Sequence, residues 1–234
     1  MFRALDKLNQ EIISYILTEE LGEKAREIEA FCPNPTCRRR LLLRICTTRT
    51  DHFAHYPKKA CDTNEEPETD EHDKLKKVIF EKLKRRYPYE KIKYEEWLEN
   101  QRADLFLPKR NIAIECQCSP ISKEMFIKRN VKYKTKNISV LWIFGEKFWS
   151  EHEDYKERSL RTRDAQKYLF QIYGRFYIYH KNTLLTVHLH PLRRWSKGFA
   201  YSGFSLHEIE DNELFIIPNI NNTNQARFAD RKWW

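Results

Sequence analysis

A cluster of cysteines and histidines near the start of the chain has the residue types that commonly bind zinc in proteins. Cys32 and Cys37 are followed, after a basic segment, by His52, His55 and Cys61. Structural zinc takes four thiolate or imidazole ligands, and the predicted set is Cys32, Cys37, His55 and Cys61. His52 is the alternative to His55, because the two rings point to opposite faces of an extended segment. Since the segment has few apolar residues, we expect the metal to be its main means of holding a fold.

Two acidic residues further along the chain are spaced to meet across a β-hairpin. Asp104 and Glu115 lie in apolar segments of strand length, joined by a short turn that begins at Pro108. A four-residue turn pairs Leu107 with Ile112. Counting outward from that pair sets Asp104 opposite Glu115, with their Cβ atoms about 5 Å apart. Two carboxylates this close repel each other unless a cation neutralises them, and Mg²⁺ is the ordinary choice for oxygen ligands.

The hairpin also carries a recognisable motif. Asp104, ten intervening residues and then Glu115-x-Gln117 resemble the catalytic hairpin of the PD-(D/E)XK nuclease superfamily in its E-x-Q variant. The chain resembles the competence protein CoiA-like family in particular. The stretches that carry this resemblance occur in family order between residues 32 and 144: Cys32 to Cys37, His52 to His55, Glu68 to His72 with Lys76, Arg102 to Asp104, Ala113 to Ser122, Arg129, Tyr133 and Leu141 to Ile143.

The resemblance implies a zinc-binding module followed by a nuclease-type core. In that core, Asp104, Glu115 and the backbone carbonyl of Cys116 would hold Mg²⁺ or Mn²⁺. The implied catalytic residues are Asp104, Glu115, Gln117 and Glu68. Glu68 lies at the start of the preceding predicted helix, and Glu71 is its close alternative.

Gln117 departs from the commonest pattern of the superfamily, in which many relatives have lysine at this position. Glutamine can orient a water or donate to a phosphate oxygen, but it brings no positive charge and is no general base at neutral pH. Arg129 and Lys76 are the cations that could compensate for the missing charge.

Helices and strands are predicted on both sides of these residues. Apolar residues at helical spacing predict helices within 9–30 (ended by Gly22), over 69–86, from the N-cap Ser122 to 136, and within the charged segment 151–168. Strands are predicted over 91–97, 103–107, 111–116 and 138–144, and again between 175 and 217. The run 138–144 is nearly all apolar, which is typical of a strand buried on both faces.

The fold class that this pattern predicts is α/β. We expect a restriction-endonuclease-like core, that is, a mixed central sheet flanked by helices, with a small zinc-binding module before it and a β-rich extension after it. The predicted boundaries are an N-terminal helix at 1–30, the zinc-binding module at 31–66, the nuclease-like core at 67–150 and the C-terminal helix and β-rich extension at 151–234.

The charge balance favours a phosphate-rich partner. The chain has 43 Lys and Arg against 34 Asp and Glu, a net charge of +9, and much of the positive charge lies on the helices predicted at 69–86 and 122–136. Such surfaces bind nucleic acid in a way that weakens with salt. The predicted DNA contacts are Lys76, Lys77, Arg129, Lys132 and Lys136.

The function predicted from the sequence is that of a metal-dependent DNA nuclease acting in recombination, competence or repair. The alternative is a non-catalytic DNA-binding accessory protein that retains the nuclease fold. The expected cofactors are Mg²⁺ or Mn²⁺ and a structural Zn²⁺. No membrane-spanning or signal pattern is visible, so a cytoplasmic location is expected. A homodimer, and a protein partner for the aromatic C-terminal tail, are left open.

Overall fold

A computed structural model describes residues 1–55, 69–99, 101–149, 159–161, 163–173, 175–189, 200–202 and 204–208. The first sheet consists of β1 (Arg3–Leu5), β2 (Glu11–Ile13), β3 (Ala30–Phe31), β4 (Arg40–Arg44) and β5 (His52–His55), in the spatial order β2-β1-β3-β4-β5. The helix α1 (Ser14–Leu21) follows β2 directly and ends at Gly22, as predicted. The prediction of helix before residue 14 is wrong, because Glu11–Ile13 pair with Arg3–Leu5 instead.

The first sheet has an apolar core of its own. Leu41 and Leu43 of β4 and Phe53 of β5 are buried together with small residues from β1 and β3. The alternating burial along β4 has the period of two that a half-buried strand requires. This corrects the premise that the segment has few apolar residues to bury, whereas the contribution of a metal to its stability stays a prediction.

The second sheet has seven described strands and carries most of the chain. The α-helices and strands described from residue 70 onward are α2 (Asp70–Arg86), β6 (Lys93–Trp97), β7 (Arg102–Leu107), β8 (Ile112–Gln117), α3 (Lys123–Thr135), β9 (Ser139–Phe144), β10 (Ser159–Arg161), α4 (Asp164–Tyr173), β11 (Arg175–His180), β12 (Thr183–Leu189), β13 (Ala200–Ser202) and β14 (Phe204–Glu208). The spatial order is β14-β12-β11-β9-β8-β7-β6, and β10 pairs separately with β13. Strands β8, β9 and β11 are parallel to one another and their other partners are antiparallel.

This mixed sheet with helices against it confirms the predicted α/β class. Among the described residues after 150, strands β11, β12 and β14 continue the core sheet, whereas β10 and β13 form a separate two-stranded sheet. The helix predicted over 151–168 is corrected in its described part, where residues 159–161 form a strand and α4 begins at Asp164. The rest of that range, apart from residue 163, lies outside the described residues.

The helices cover the two faces of the large sheet. Leu75, Ile79 and Leu83 of α2 pack in one cluster with Ile143, whereas Phe126 of α3 and residues of α4 pack in another with the neighbouring Trp142 and Phe144. Successive strand residues point to opposite faces, so α2 lies on one side of the sheet and α3 with α4 on the other. None of the described helices is long and apolar enough to cross a membrane.

Both helices beside the predicted site begin with a side-chain cap. Thr69 accepts a hydrogen bond from the His72 amide at the start of α2, and Ser122 accepts one from the Met125 amide at the start of α3. Helix α2 also has acidic residues in its first turn and basic residues in its last turn, which suits the helix dipole. These caps fix where each helix starts, and therefore which side chains of the first turn of α2 reach the sheet.

Candidate functional site

The β7–β8 hairpin has the predicted register. Leu107 pairs with Ile112 across a turn whose last residue, Asn111, is left-handed with φ of 54°. The pairing continues to Leu105 and Ile114, so Asp104 and Glu115 occupy the next positions on the two strands. There the ladder changes, because the Cys116 amide donates to Asp104 Oδ2 at 2.8 Å.

A third acidic residue lies in the same row of the sheet. The register of β6 with β7 pairs Tyr94 with Leu105 and Glu96 with Ala103, which places Glu95 beside Asp104. Glu95, Asp104 and Glu115 are therefore neighbours across three strands. Their exposed fractions are 0%, 6% and 1%, so each carboxylate requires partners inside the protein.

Asp104 is held by His72 from the first turn of α2. Nε2 of His72 donates to Asp104 Oδ2 at 3.1 Å. Burial by itself raises the pKa of Asp104, but the His72 charge and hydrogen bond, Lys76 and the Cys116 amide outweigh it and lower that pKa to about 2. Asp104 is therefore a carboxylate rather than a carboxylic acid at neutral pH. His72 was not predicted as a site residue, although it lies in the helix-start stretch that carries the family resemblance.

Glu115 is held by two residues one turn apart on α3. Nη2 of Arg129 donates to Glu115 Oε2 at 2.6 Å, and the Tyr133 hydroxyl donates to Glu115 Oε1. Burial, together with the nearby Asp104 charge, raises the pKa of Glu115 to about 7 against the opposing effect of Arg129 and of the hydrogen bond from Tyr133. The Arg129 guanidinium also lies 5.1 Å from the centre of the Trp142 ring. Its side chain is 31% exposed, so it brings a positive charge to the surface of the site.

Tyr133→Phe is expected to lower the free energy of unfolding by about 1.5–3 kcal/mol, because the buried Glu115 carboxylate loses a hydrogen-bond donor. Urea unfolding followed by circular dichroism measures the change. The matched control is Tyr89→Phe, whose side chain is fully exposed, and a change within about 0.5 kcal/mol is expected there. Equal effects of the two substitutions would contradict a bond between Tyr133 and Glu115.

Glu71 lies in the first turn of α2, next to His72 in the chain. Its Oε1 atom is buried and receives no hydrogen bond from a nitrogen or hydroxyl group of the described residues. A Cβ atom placed on Gly145, just after β9, would overlap this oxygen and lie 2.7 Å from Cys118 Sγ. Burial raises the pKa of the Cys118 thiol, and the Glu71 charge adds to that rise. Glu68 lies outside the described residues, so the choice between Glu68 and Glu71 stays a prediction, and the described neighbours of Glu71 are Gly145 and Cys118.

Gly145→Ala is expected to destabilise the protein by about 1–3 kcal/mol, because the added methyl group displaces Glu71 and Cys118. Thermal or urea unfolding measures the loss. The double variant G145A/E71A removes one of the two overlapping groups and should recover part of that loss. A double variant as unstable as the sum of the two single variants would show that Glu71 does not fill this space.

Gln117 and two of the predicted DNA-contact lysines have partners within the protein. The Gln117 amide donates to the Ser119 carbonyl at 2.6 Å. Lys77 pairs with Glu19 at 3.0 Å, and Lys136 pairs with Glu99 at 2.8 Å. Lys132 is half-buried.

Lys76 was predicted to contact DNA, and this prediction is corrected. Its side chain is 0% exposed and its ammonium group donates to Glu95 Oε1 at 2.6 Å. A lysine enclosed in this way cannot reach a phosphate on the surface. It remains close enough to Asp104 to lower the pKa of that carboxyl group.

The oxygen ligands of the hairpin fit a hard divalent cation. Asp104 and Glu115 are buried neighbours, and the Cys116 carbonyl belongs to the same strand as Glu115. Among the described residues, three metal-ligating side chains come together only in the cysteine and histidine group. The hairpin therefore offers two carboxylates, with backbone and water oxygens to complete the shell, which is the usual donor set for Mg²⁺.

The cysteine and histidine group is formed by the segment between β3 and β4 and by the last residue of β5. The ligand atoms of Cys32, Cys37 and His55 all lie within 4.8 Å of one another, and Cys37 Sγ is 3.3 Å from His55 Nε2. Nδ1 of His52 instead faces the Thr50 carbonyl at 3.1 Å. The group is thus built with His55 and without His52, and it can hold a metal ion. Cys61, the predicted fourth ligand, lies outside the described residues.

Comparison with known sequences identifies the family. The profile described as "Competence protein CoiA, nuclease-like domain" matches residues 68–218, which is more than half of the chain. The chain belongs to the competence protein CoiA family. A second profile, "Competence protein CoiA, N-terminal domain", matches residues 16–64. The acidic hairpin and α3 fall in the nuclease-like domain of this family, and the cysteine and histidine group falls in its N-terminal domain.

A curated relative agrees with the CoiA family profiles. The chain is 28% identical over 133 residues to "Competence protein CoiA" of Bacillus subtilis (strain 168). That stretch covers 56% of this chain and 35% of the relative, so the chain spans about a third of the relative's length. No solved structure gives a significant match to the chain.

Proposed function

We propose that the chain is a metal-dependent deoxyribonuclease that acts on DNA in competence-related processing. The observation that carries this proposal is the pair of buried carboxylates, Asp104 and Glu115, at adjacent strand positions with Arg129 beside them. Two carboxylates that can hold a divalent cation, a nearby cationic group and basic side chains that can contact phosphates suit metal-dependent hydrolysis of a phosphodiester. The nuclease-like domain profile over this region supports the same reading.

In this proposal the residues around the hairpin have three roles: binding the metal, orienting its carboxylate ligands and supplying positive charge. Asp104, Glu115 and the Cys116 carbonyl would hold Mg²⁺ or Mn²⁺, which when bound activates a water and polarises the phosphate. His72 fixes the orientation of Asp104, and Tyr133 fixes that of Glu115. Arg129 offers the positive charge that Gln117 cannot supply, while Gln117 is suited to orienting a water. Glu71, or Glu68 before it, would add a further carboxylate.

The first sheet would hold a structural zinc ion. Cys32, Cys37 and His55 supply three of the four ligands that tetrahedral zinc needs, and Cys61 is proposed as the fourth. Lys77, Arg129, Lys132 and Lys136 remain the proposed contacts to DNA. A cytoplasmic location, a homodimer and a partner for the C-terminal tail stay predictions, and the tail lies outside the described residues.

Cleavage of defined DNA forms tests the proposed activity. Purified protein is incubated with linear duplex, single-stranded and branched DNA, with Mg²⁺, Mn²⁺ or chelator, and binding is measured separately at several salt concentrations. We expect cleavage of at least one form that depends on the divalent metal, and binding that weakens as salt rises. Binding without cleavage of any form would reject the nuclease and leave a DNA-binding accessory protein. DNA binding that is insensitive to salt would reject the proposal that basic side chains contact the DNA phosphates.

A further inference from the structure

A buried ion pair lies beside the acidic hairpin and takes no part in the chemistry proposed above. Lys76 donates to Glu95 Oε1 at 2.6 Å, and both side chains are 0% exposed. Asp73 Oδ1 is 3.5 Å from the same ammonium group, and the centre of the Phe2 ring is 4.9 Å away. A buried pair of this kind contributes little net stability, because desolvation offsets the attraction between the charges. Its position suggests a different role.

Glu95 joins this pair to the first sheet. Its other carboxylate oxygen, Oε2, accepts the backbone amides of Phe2 at 2.9 Å and Arg3 at 3.2 Å. Arg3 in turn donates to the Glu95 carbonyl at 3.2 Å and to Glu96 Oε2 at 2.7 Å. The start of the chain and β1 are therefore hydrogen-bonded to β6 at Glu95 and Glu96.

The backbone of β6 is bent to make these contacts. Glu95 has a φ of 48°, in the left-handed region that residues other than glycine rarely adopt within a strand. Its neighbours Tyr94 and Glu96 both pair with β7, so the distortion is confined to this one residue. The position opposite Glu95 in β7 is Asp104. The distortion therefore lies directly beside the proposed metal ligand.

The ion pair also reaches Asp104 through α2. Lys76 and His72 are four residues apart on one face of this helix, and His72 donates to Asp104. Lys76 thus anchors α2 one turn away from the residue that orients Asp104. We propose that Lys76 and Glu95 are positioning residues, through which the first sheet and β6 hold α2, and hence His72, against Asp104. The proposal rests on the nuclease site proposed above, but its geometric part can be measured without cleavage.

The variants K76M and E95Q test the positioning role in the full-length chain. We expect each to lower kcat for DNA cleavage by about 10- to 100-fold, as loss of an outer-shell partner does at metal sites. The KM for DNA is expected to stay within about two-fold, because neither buried side chain touches DNA. The NMR chemical shifts of the His72 ring nitrogens are expected to change in both variants. They are measured in ¹⁵N-histidine-labelled protein, and the signal is assigned by its absence in H72Q.

The matched control is Leu42→Ser, a half-exposed position on β4 of the first sheet. It should change neither kcat nor the His72 signal. Arg3→Gln removes the side-chain bonds of β1 to β6 and leaves Lys76 and Glu95 in place, so it should move the His72 signal in the same direction by less. An unmoved signal in Arg3→Gln would show that the first sheet takes no part in the positioning.

The double variant K76M/E95Q decides the result if the single variants do not fold. It removes both charges of the 0%-exposed pair, so that only Asp73, whose side chain is 16% exposed, loses a cationic neighbour, and the glutamine can still accept from the amides of β1. Folded variants with wild-type kcat and an unmoved His72 signal would overturn the proposal, since a purely structural pair changes only the folded fraction. Failure of the wild type to cleave DNA would reject the nuclease function instead, and the His72 signal alone would then decide the positioning role.

Discussion

Asp104→Asn is expected to lower the rate of metal-dependent DNA cleavage by more than about 100-fold while the protein stays folded. Asparagine has the shape of aspartate, and its carbonyl oxygen can still accept the Cys116 amide that Asp104 accepts at 2.8 Å. It lacks the negative charge that a divalent cation requires and that His72 faces. Initial rates at saturating Mn²⁺, together with the melting temperature, measure the two effects separately.

Glu23→Gln serves as the control for Asp104→Asn, since this acidic side chain is 76% exposed and pairs only at the surface with Arg26. Its rate should equal that of the wild type. An Asp104→Asn protein that cleaves DNA at the wild-type rate would contradict the assignment of the hairpin as the catalytic site. The same outcome would point to cleavage by a contaminating nuclease, which a second purification route would reveal.

From the proposed zinc site, Cys37→Ser is expected to abolish zinc binding by the first sheet and to lower the free energy of unfolding by about 4 kcal/mol or more. The thiolate of Cys37 lies beside His55 in the group of three ligands, and a serine hydroxyl is a poor ligand for zinc. Metal analysis of protein purified without a tag, followed by urea unfolding with and without chelator, measures both changes. Strands β3 to β5 should be the first to lose protection from hydrogen exchange.

Cys46→Ser is the matched control for Cys37→Ser. Cys46 lies in the same sheet region but outside the group of three ligands, and its sulfur is 3.9 Å from Nδ1 of His52. It should keep the metal and most of the stability. A wild-type protein with no bound zinc, or equal metal content in the two variants, would reject the zinc site. Because the first sheet has an apolar core, we expect partial rather than complete unfolding of Cys37→Ser.

Local sequence was sufficient for the hairpin and for the Ser122 cap. Strand segments with alternating side chains, joined by a turn of defined length, allow only one register, so the pairing of Leu107 with Ile112 could be counted from the turn. Thr69 and Ser122 cap their helices through bonds to amides three residues on, which is a short-range property. The family resemblance drawn from the order of these motifs is confirmed by the profiles that match the chain.

The partners of the two carboxylates could not be read from local patterns. His72 looked like a helix-start residue and Lys76 like one of many surface lysines, because α2 is rich in both basic and acidic residues. Only the packing of α2 on the sheet shows that one reaches Asp104 and the other is enclosed with Glu95. The sequence likewise predicts helix where strand β2 lies, because Ile12 and Ile13 also fit the apolar stripe of α1 and their pairing with β1 is a tertiary contact.

The sequence by itself determined the family, the α/β class, the hairpin register that brings Asp104 next to Glu115, and the membership of Cys32, Cys37 and a histidine in one group. These depend on residue type, on spacing within one hairpin or loop region, and on motif order. Tertiary structure decided that His55 rather than His52 joins the cysteines, that Arg129 and Tyr133 hold Glu115, and that Lys76 faces the interior. The reason is that burial and pairing of charges depend on which elements pack together, and contacts between residues far apart in the chain leave no local periodicity to read.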